Sequence, residues 1–258
     1  MTINAIMVIA YRDFLKLLRD PPRILYAVIF PLLMVAVLGG SMQANLGEAA
    51  GFNFLLFTFT GVLAQTFFMS PAEGVISLLE DRENDFSQEM FVSPISRYSI
   101  IFGKILGETW VALPQGAAIV LVGLVLGFAY GPRQLLVLVP VAIAIALFGG
   151  AFGVLVLANM GSRRAAMQVF TFIMLPQYIL AGVFAPIKVL PWYLEALSKL
   201  MPLRYAVDLV RGVYYAGQPE YDLVILNPPL FNMAVIGIGF AVFLVAGTYL
   251  FVRRERNR

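Results

Sequence analysis

The chain contains neither cysteine nor histidine. Without them there is no disulfide, no thiol nucleophile, no Cys/His zinc site and no Ser-His-Asp triad. The missing cysteines carry no message about redox compartment, because a helix bundle packed in lipid needs no covalent staples. Charge is scarce as well. Asp, Glu, Lys and Arg make up 13% of the 258 residues, where a soluble domain of this length carries about 25%. A phosphate cradle is also missing. The one Gly-Lys pair, Gly103-Lys104, has Tyr98 where a P-loop needs glycine and Ile105 where it needs Ser or Thr. No enzymatic activity is expected of this chain alone, and if ATP powers it, a second polypeptide binds the nucleotide.

What is present is apolar sequence. Hydrophobic residues make up 60% of the chain, and the mean hydropathy is +0.86. Such an excess does not fit one globular core, but it fits several segments of roughly 20 residues crossing about 30 Å of hydrocarbon. The pattern predicts an all-α polytopic membrane protein, a single transmembrane domain over residues 1–258. Six spans are expected, at 24–42, 52–72, 100–128, 134–158, 165–184 and 230–252. With the N-terminus inside, the cytoplasmic side receives Arg12, Lys16, Arg19, Arg23, Arg82, Arg97, Lys104, Arg163, Arg164 and the tail arginines 253, 254, 256 and 258. The outside receives only Arg133, Lys188, Lys199, Arg204 and Arg211, so both termini are expected in the cytoplasm. Basic residues flank membrane segments, which makes lipid an expected neighbour and nucleic acid not a partner. No cleavable signal peptide is expected, since Arg12, Asp13, Lys16, Arg19 and Asp20 interrupt the first apolar stretch.

Three segments outside the spans carry pattern. Residues 3–19 place Ile3, Ile6, Met7, Ala10, Phe14, Leu17 and Leu18 on one helical side and Arg12, Lys16 and Arg19 on the other, before Pro21-Pro22 ends the helix. This is either an interfacial amphipathic helix or a cytoplasmic helix packed on the bundle. In the cytoplasmic loop 80–97, Asp81, Asp85 and Glu89 form an i, i+4, i+8 stripe beside Phe86, Met90, Phe91 and Val92. It is either a short helix that docks on another protein or a solvated face whose apolar residues dip into headgroups. The external stretch 186–215 is too apolar for a free loop and too broken by Pro186, Pro191 and Pro202 to span. Helices at about 191–200 and 202–215 are expected, forming a re-entrant hairpin in the outer leaflet. Arg204–Asp208 and Asp208–Arg211 can pair along the second, and Trp192, Tyr193, Tyr205, Tyr214 and Tyr215 suit an aromatic belt.

Ionisable residues inside or close to a span reduce to Glu73, Lys104 and Glu108, the last two able to pair at the cytoplasmic membrane edge. An ion-coupled secondary transporter needs charge nearer the midplane, and an intramembrane lipid-modifying enzyme needs a nucleophile with its base; these are the rival classes. Small residues recur at four-residue spacing, as Gly123/Gly127, Ala142/Ala146/Gly150, Gly149/Gly153 and Gly237/Ala241, and permit close helix contact. Phe57, Phe59, Phe67, Phe68, Phe170 and Phe172 suit lipid-facing surfaces or an apolar cargo path.

Two stretches taken in order resemble a known family. Residues 78–108, LLEDRENDFSQEMFVSPISRYSIIFGKILGE, and residues 179–212, ILAGVFAPIKVLPWYLEALSKLMPLRYAVDLVRG, resemble the ABC-2-type exporter permeases, as does Leu18-Arg19-Asp20-Pro21. The likeness is nearest to bacterial drug and antibiotic exporters, with lipid and polysaccharide exporters close by. It implies a subunit of the bacterial inner membrane, working as a homodimer or with a related permease on two cytoplasmic ATP-binding cassette ATPases. ATP and Mg would sit on those ATPases, with no cofactor or metal in this chain. By the same resemblance Asp85, Phe86, Glu89, Met90, Phe91 and Val92 form the coupling helix, and Arg12, Lys16 and Arg19 lie on a second ATPase contact. Pro191, Trp192, Pro202, Arg204, Tyr205, Asp208 and Arg211 belong to helices capping the exit side. Met201 departs from the Asn common at that position in the family.

Overall fold

A computed structural model describes residues 3–79, 96–128, 130–158 and 160–256, with backbone only for Arg23 and 254–256. The expected coupling residues Asp85, Phe86, Glu89, Met90, Phe91 and Val92 lie outside the described residues. Among the described residues every regular element is helical, the arrangement that satisfies backbone polar groups internally where no water can.

Helix α1 (Ile3–Leu18) stops short of Pro21-Pro22, and Pro21 opens α2 (Pro21–Met34), because proline's fixed φ and missing N–H suit a first helical turn. α2 contains Pro31 and runs through a π-helical turn, Val35–Gly39, into α3 (Gly40–Ala50). The rod ends only at Gly51, whose φ of 73° terminates it, so the first apolar helix, Ile24–Ala50, outruns the predicted 24–42. Asn53 caps α4 (Phe54–Gly74) by accepting from the Leu56 N–H at 3.0 Å. Ser96 does the same for α5 (Arg97–Val125), accepting from Ser99 N. Then follow α6 (Pro132–Leu157), α7 (Arg163–Leu180), α8 (Trp192–Lys199), α9 (Pro202–Tyr214), α10 (Tyr221–Val224) and α11 (Pro229–Arg256).

Five helices among the described residues are long and apolar enough to cross a membrane: Ile24–Ala50, Phe54–Leu79, Arg97–Val125, Pro132–Leu157 and Pro229–Arg253. The fifth expected span, 165–184, corresponds to α7, which is not one of them. It is 18 residues long and is diluted by Arg163, Arg164, Gln168 and Gln177.

α4 is the central helix. Of its most apolar window 78% is buried, against 11% for Ile24–Ala50 and 22% for α11. Phe57, Phe59, Phe67, Phe68 and Phe170 are all buried in the bundle, so the expectation that these aromatics face lipid fails for them. Of the six, Phe172 alone points outward, at 81% exposure. Hydrophobic burial drives no helix contact in lipid, so close packing and hydrogen bonds hold such a bundle together. Glycines set the approach. A Cβ at Gly149 would strike the Phe68 carbonyl and one at Gly153 the Ala72 carbonyl, which brings α6 backbone-to-backbone against α4. Gly116 and Gly123 of α5 receive the rings of Phe67 and Phe59. Gly237 has nothing within 4 Å, so the Gly237/Ala241 pair makes no such contact.

Candidate functional site: buried charge at both ends of the central helix

At one end of α4, α1 lies along α5. Its inner face is Ile6, Ile9, Ala10, Asp13 and Leu17, while Ile3, Met7, Val8, Tyr11 and Leu18 stay exposed. The helix therefore packs on the bundle and keeps an outward apolar surface. Gly103 and Gly107 make the packing close, since Cβ atoms there would come within 3.1 Å of the Ile6 carbonyl and 2.9 Å of Ala10 Cα.

The approach delivers Asp13 to Lys104. Lys104 Nζ donates to Asp13 Oδ2 at 2.8 Å and lies 3.2 Å from Glu108 Oε1. Asp13, Lys104 and Glu108 are buried, at 3%, 1% and 3% exposure. The Lys104–Glu108 pair was legible from i, i+4 spacing, but Asp13 was missed. Its signal was an acidic residue four ahead of Leu17 and three after Ala10, on the inner face. Taking charges out of water costs several kcal/mol per ion, repaid only by good mutual geometry. Glu108 also lies over Gly74 of α4, where a Cβ would collide with the carboxylate. α1 and α5 thus meet at one ammonium, with α4 packed against the Glu108 carboxylate. Arg12 reaches Asp13 Oδ1 at 3.3 Å from a partly exposed position, and Lys16 and Arg19 are exposed.

At the other end, roughly 25 Å along α4 at 1.5 Å per residue, stands Arg211 of α9. It is 2% exposed. Its guanidinium donates to the carbonyls of Gly182 at 2.7 Å, Phe57 at 3.1 Å and Val183 at 3.2 Å, and lies 3.5 Å from the centre of the Phe57 ring. Gly61 makes room for it. The pairing read along α9 is not what forms. Asp208 instead accepts from Leu226 N and Asn227 N, each at 2.8 Å, and from Asn232 Nδ2 at 2.7 Å. Arg204 donates to Ser198 Oγ at 2.8 Å, and Ser198 in turn donates to the Leu180 carbonyl at 2.6 Å. The physical reason is competition: carbonyls and N–H groups at helix breaks have no other donor or acceptor, and they draw the charges away from one another.

The remaining residues of this stretch lie on α8, on α9 and at their ends. Pro191 precedes α8 as its cap and Pro202 opens α9. Trp192 is 82% exposed, and Tyr205 Oη donates to the Lys199 carbonyl at 2.7 Å. Tyr214 and Tyr215 do not join a belt; they are buried with Phe57, Val224 and Ile225. Burial pushes the Tyr215 hydroxyl well above its ordinary range, so it stays neutral. On exposed α8, Lys199 lies 2.7 Å from Glu195 and holds its carboxyl below the usual range. No group of His, Cys, Asp or Glu among the described residues could hold a metal.

Buried charge thus gathers in two places, at the contact of α1 with α5 and around α9. The sequence profile described as ABC-2 type transporter matches residues 4–215. The chain belongs to this family. ABC-2 type permeases are membrane subunits of ABC transporters, which makes an ATP-binding cassette ATPase the partner of this one. The chain is 25% identical over 251 residues to a protein of Cyanophora paradoxa named as the transport permease ycf38, covering 94% of this chain and 83% of that one. It is 27% identical over 145 residues to YbhR of Escherichia coli (strain K12), named as a multidrug ABC transporter permease, covering 54% of this chain and 38% of YbhR. It is 26% identical over 186 residues to Nodulation protein J of Sinorhizobium fredii, covering 70% of each. The ABC-2 match takes in both buried assemblies, since Asp13, Lys104, Glu108, Asp208 and Arg211 all fall inside it.

Proposed function

We propose that this permease exports an amphipathic cargo — drug-like, lipid or polymer — by alternating access, as a homodimer on two copies of a separate ATPase in a bacterial inner membrane. The supporting observation is the coupling of α1 to α5 through Asp13, Lys104 and Glu108. α5 begins at the end of the loop 80–97, and Arg12, Lys16 and Arg19 lie on the same stretch of chain as Asp13. A push delivered to the loop or to α1 would therefore move both together.

In this reading α7 is the fifth of six spans, both termini are cytoplasmic, and the Arg12, Lys16 and Arg19 side of α1 is a second ATPase contact. Asp85, Phe86, Glu89, Met90, Phe91 and Val92 form the helix that docks on the ATPase. α8 and α9 form the outer hairpin, with Arg211 and Asp208 fixing its seat. Lys104 meets two carboxylates near the start of α5, an arrangement suited to holding helices together rather than to carrying a coupling ion across the midplane.

The test is co-expression with the ATPase in proteoliposomes. Phe86→Glu with Met90→Glu should leave the permease inserted, abolish cargo-stimulated ATP hydrolysis and stop export. Undiminished export by this variant, or export driven by a proton gradient without ATP, rejects the reading.

A further inference from the structure

Between the first turns of α5 and the last turns of α11 the surface opens into a groove of about 560 Å³, within the range of about 300–1,000 Å³ typical of ligand pockets. Its walls are nearly all apolar, with Phe102 on one side and Val245 on the other. Ser96, Tyr98, Thr248 and Tyr249 are the hydroxyl-bearing residues of the lining. It is not a void within the packed core: Tyr98, Val245 and Tyr249 are 52%, 68% and 56% exposed.

Two features decide what fits it. One is a stripe on α11. Ile238, Val242, Val245 and Tyr249 are all more than half exposed at spacings of four, three and four residues, so one apolar track runs along the helix face into the groove. The other is charge. Arg253, one turn beyond Tyr249, is exposed, and the sequence continues Arg254-Glu255-Arg256-Asn257-Arg258. The N-terminus of α5 adds its partial positive charge at the same end. An apolar track that ends in two phenols and then the exposed Arg253 follows the profile of a phospholipid, from acyl chain through glycerol to an anionic phosphate.

We infer that this groove binds an anionic phospholipid, its acyl chain along Val245 and Phe102 and its phosphate at Arg253. With the orientation proposed above, the lipid belongs to the cytoplasmic leaflet. It seats against the start of α5, the helix that Lys104 ties to α1, so its occupancy bears on the element that moves. Lipid binding can be tested on the permease without ATPase or cargo, which separates it from the exporter reading.

The full-length chain is purified in detergent with equimolar phosphatidylglycerol and phosphatidylcholine, and retained lipid is measured by native mass spectrometry. Retention of phosphatidylglycerol over phosphatidylcholine is expected. Arg253→Gln should reduce that preference several-fold, and Val245→Trp, which fills the groove, should lower retention of both lipids. Arg133→Gln, an exposed arginine at the start of α6, should leave both unchanged. Circular dichroism and size exclusion check that each variant is folded; if Val245→Trp is not, Arg253→Gln decides alone. Equal retention of the two lipids, a preference unaltered in Arg253→Gln, or full displacement of phosphatidylglycerol by a cationic amphipath such as tetraphenylphosphonium would overturn the inference, the last by making the groove a cargo path.

Discussion

Lys104 Nζ lies 2.8 Å from Asp13 Oδ2 across 91 residues of sequence, in a place where neither side chain meets water. The contact fastens the N-terminal helix to α5, and Glu108 completes the neutralisation. Removing the ammonium leaves two carboxylates buried together, which is worse than removing all three charges.

Lys104→Met should therefore cost about 3–5 kcal/mol and lower the unfolding temperature in detergent markedly. The triple variant Asp13→Asn, Lys104→Met, Glu108→Gln should regain most of that loss. Fluorescence-detected size exclusion after heating reads both. A triple variant no more stable than Lys104→Met would show that the ion network is not what the site depends on.

Arg211 holds three carbonyls from two separate segments at once. Arg211→Lys keeps the charge, but it gives up the flat guanidinium that lies 3.5 Å from the centre of the Phe57 ring. Both Arg211→Lys and Arg211→Met should lose stability, the latter by more than one charge-assisted bond of about 1.5–3 kcal/mol. Transport in proteoliposomes should fall with them, because α9 loses its seat on α4.

Two glycines that look alike in sequence should behave in opposite ways. Gly149→Ala drives a methyl into the Phe68 backbone and should cost about 1–3 kcal/mol by overpacking. Gly237→Ala meets nothing within 4 Å and should gain about 0.5–1 kcal/mol from helix propensity. Thermal unfolding of the two single variants checks the sign of each change.

The absence of cysteine makes the topology directly measurable. The single-cysteine variants Ser162→Cys and Asn257→Cys should react with a membrane-impermeant maleimide only after the inner face is exposed. Lys188→Cys should react from outside in intact cells. Labelling of residue 257 from outside would remove α7 as a span and the inside placement of the C-terminus together.

Much of the fold could be read from the chain because helix-forming apolar runs are local. Asn53 and Ser96 sit at the starts of α4 and α5, and Pro202 opens α9. The first helix was underestimated because residues 43–50 are polar enough to resemble a loop, and nothing stops helix geometry before Gly51. The second buried assembly was half legible. Arg204, Asp208 and Arg211 could be picked out, but spacing along one helix predicts only partners on that helix. The acceptors and donors they meet belong instead to residues 57, 182–183, 198, 226–227 and 232.

Composition alone determined that this is a helical membrane protein without cysteine or histidine chemistry, because hydropathy and residue inventory are sums that folding does not alter. Only the tertiary structure decided which phenylalanines are core, which glycines carry close contacts, and that Asp13 rather than Lys16 faces inward beside Lys104. Those choices depend on the rotation of one helix against another. At about 3.6 residues per turn, a shift of one or two residues exchanges a buried face for an exposed one, and only the packed neighbour sets that angle.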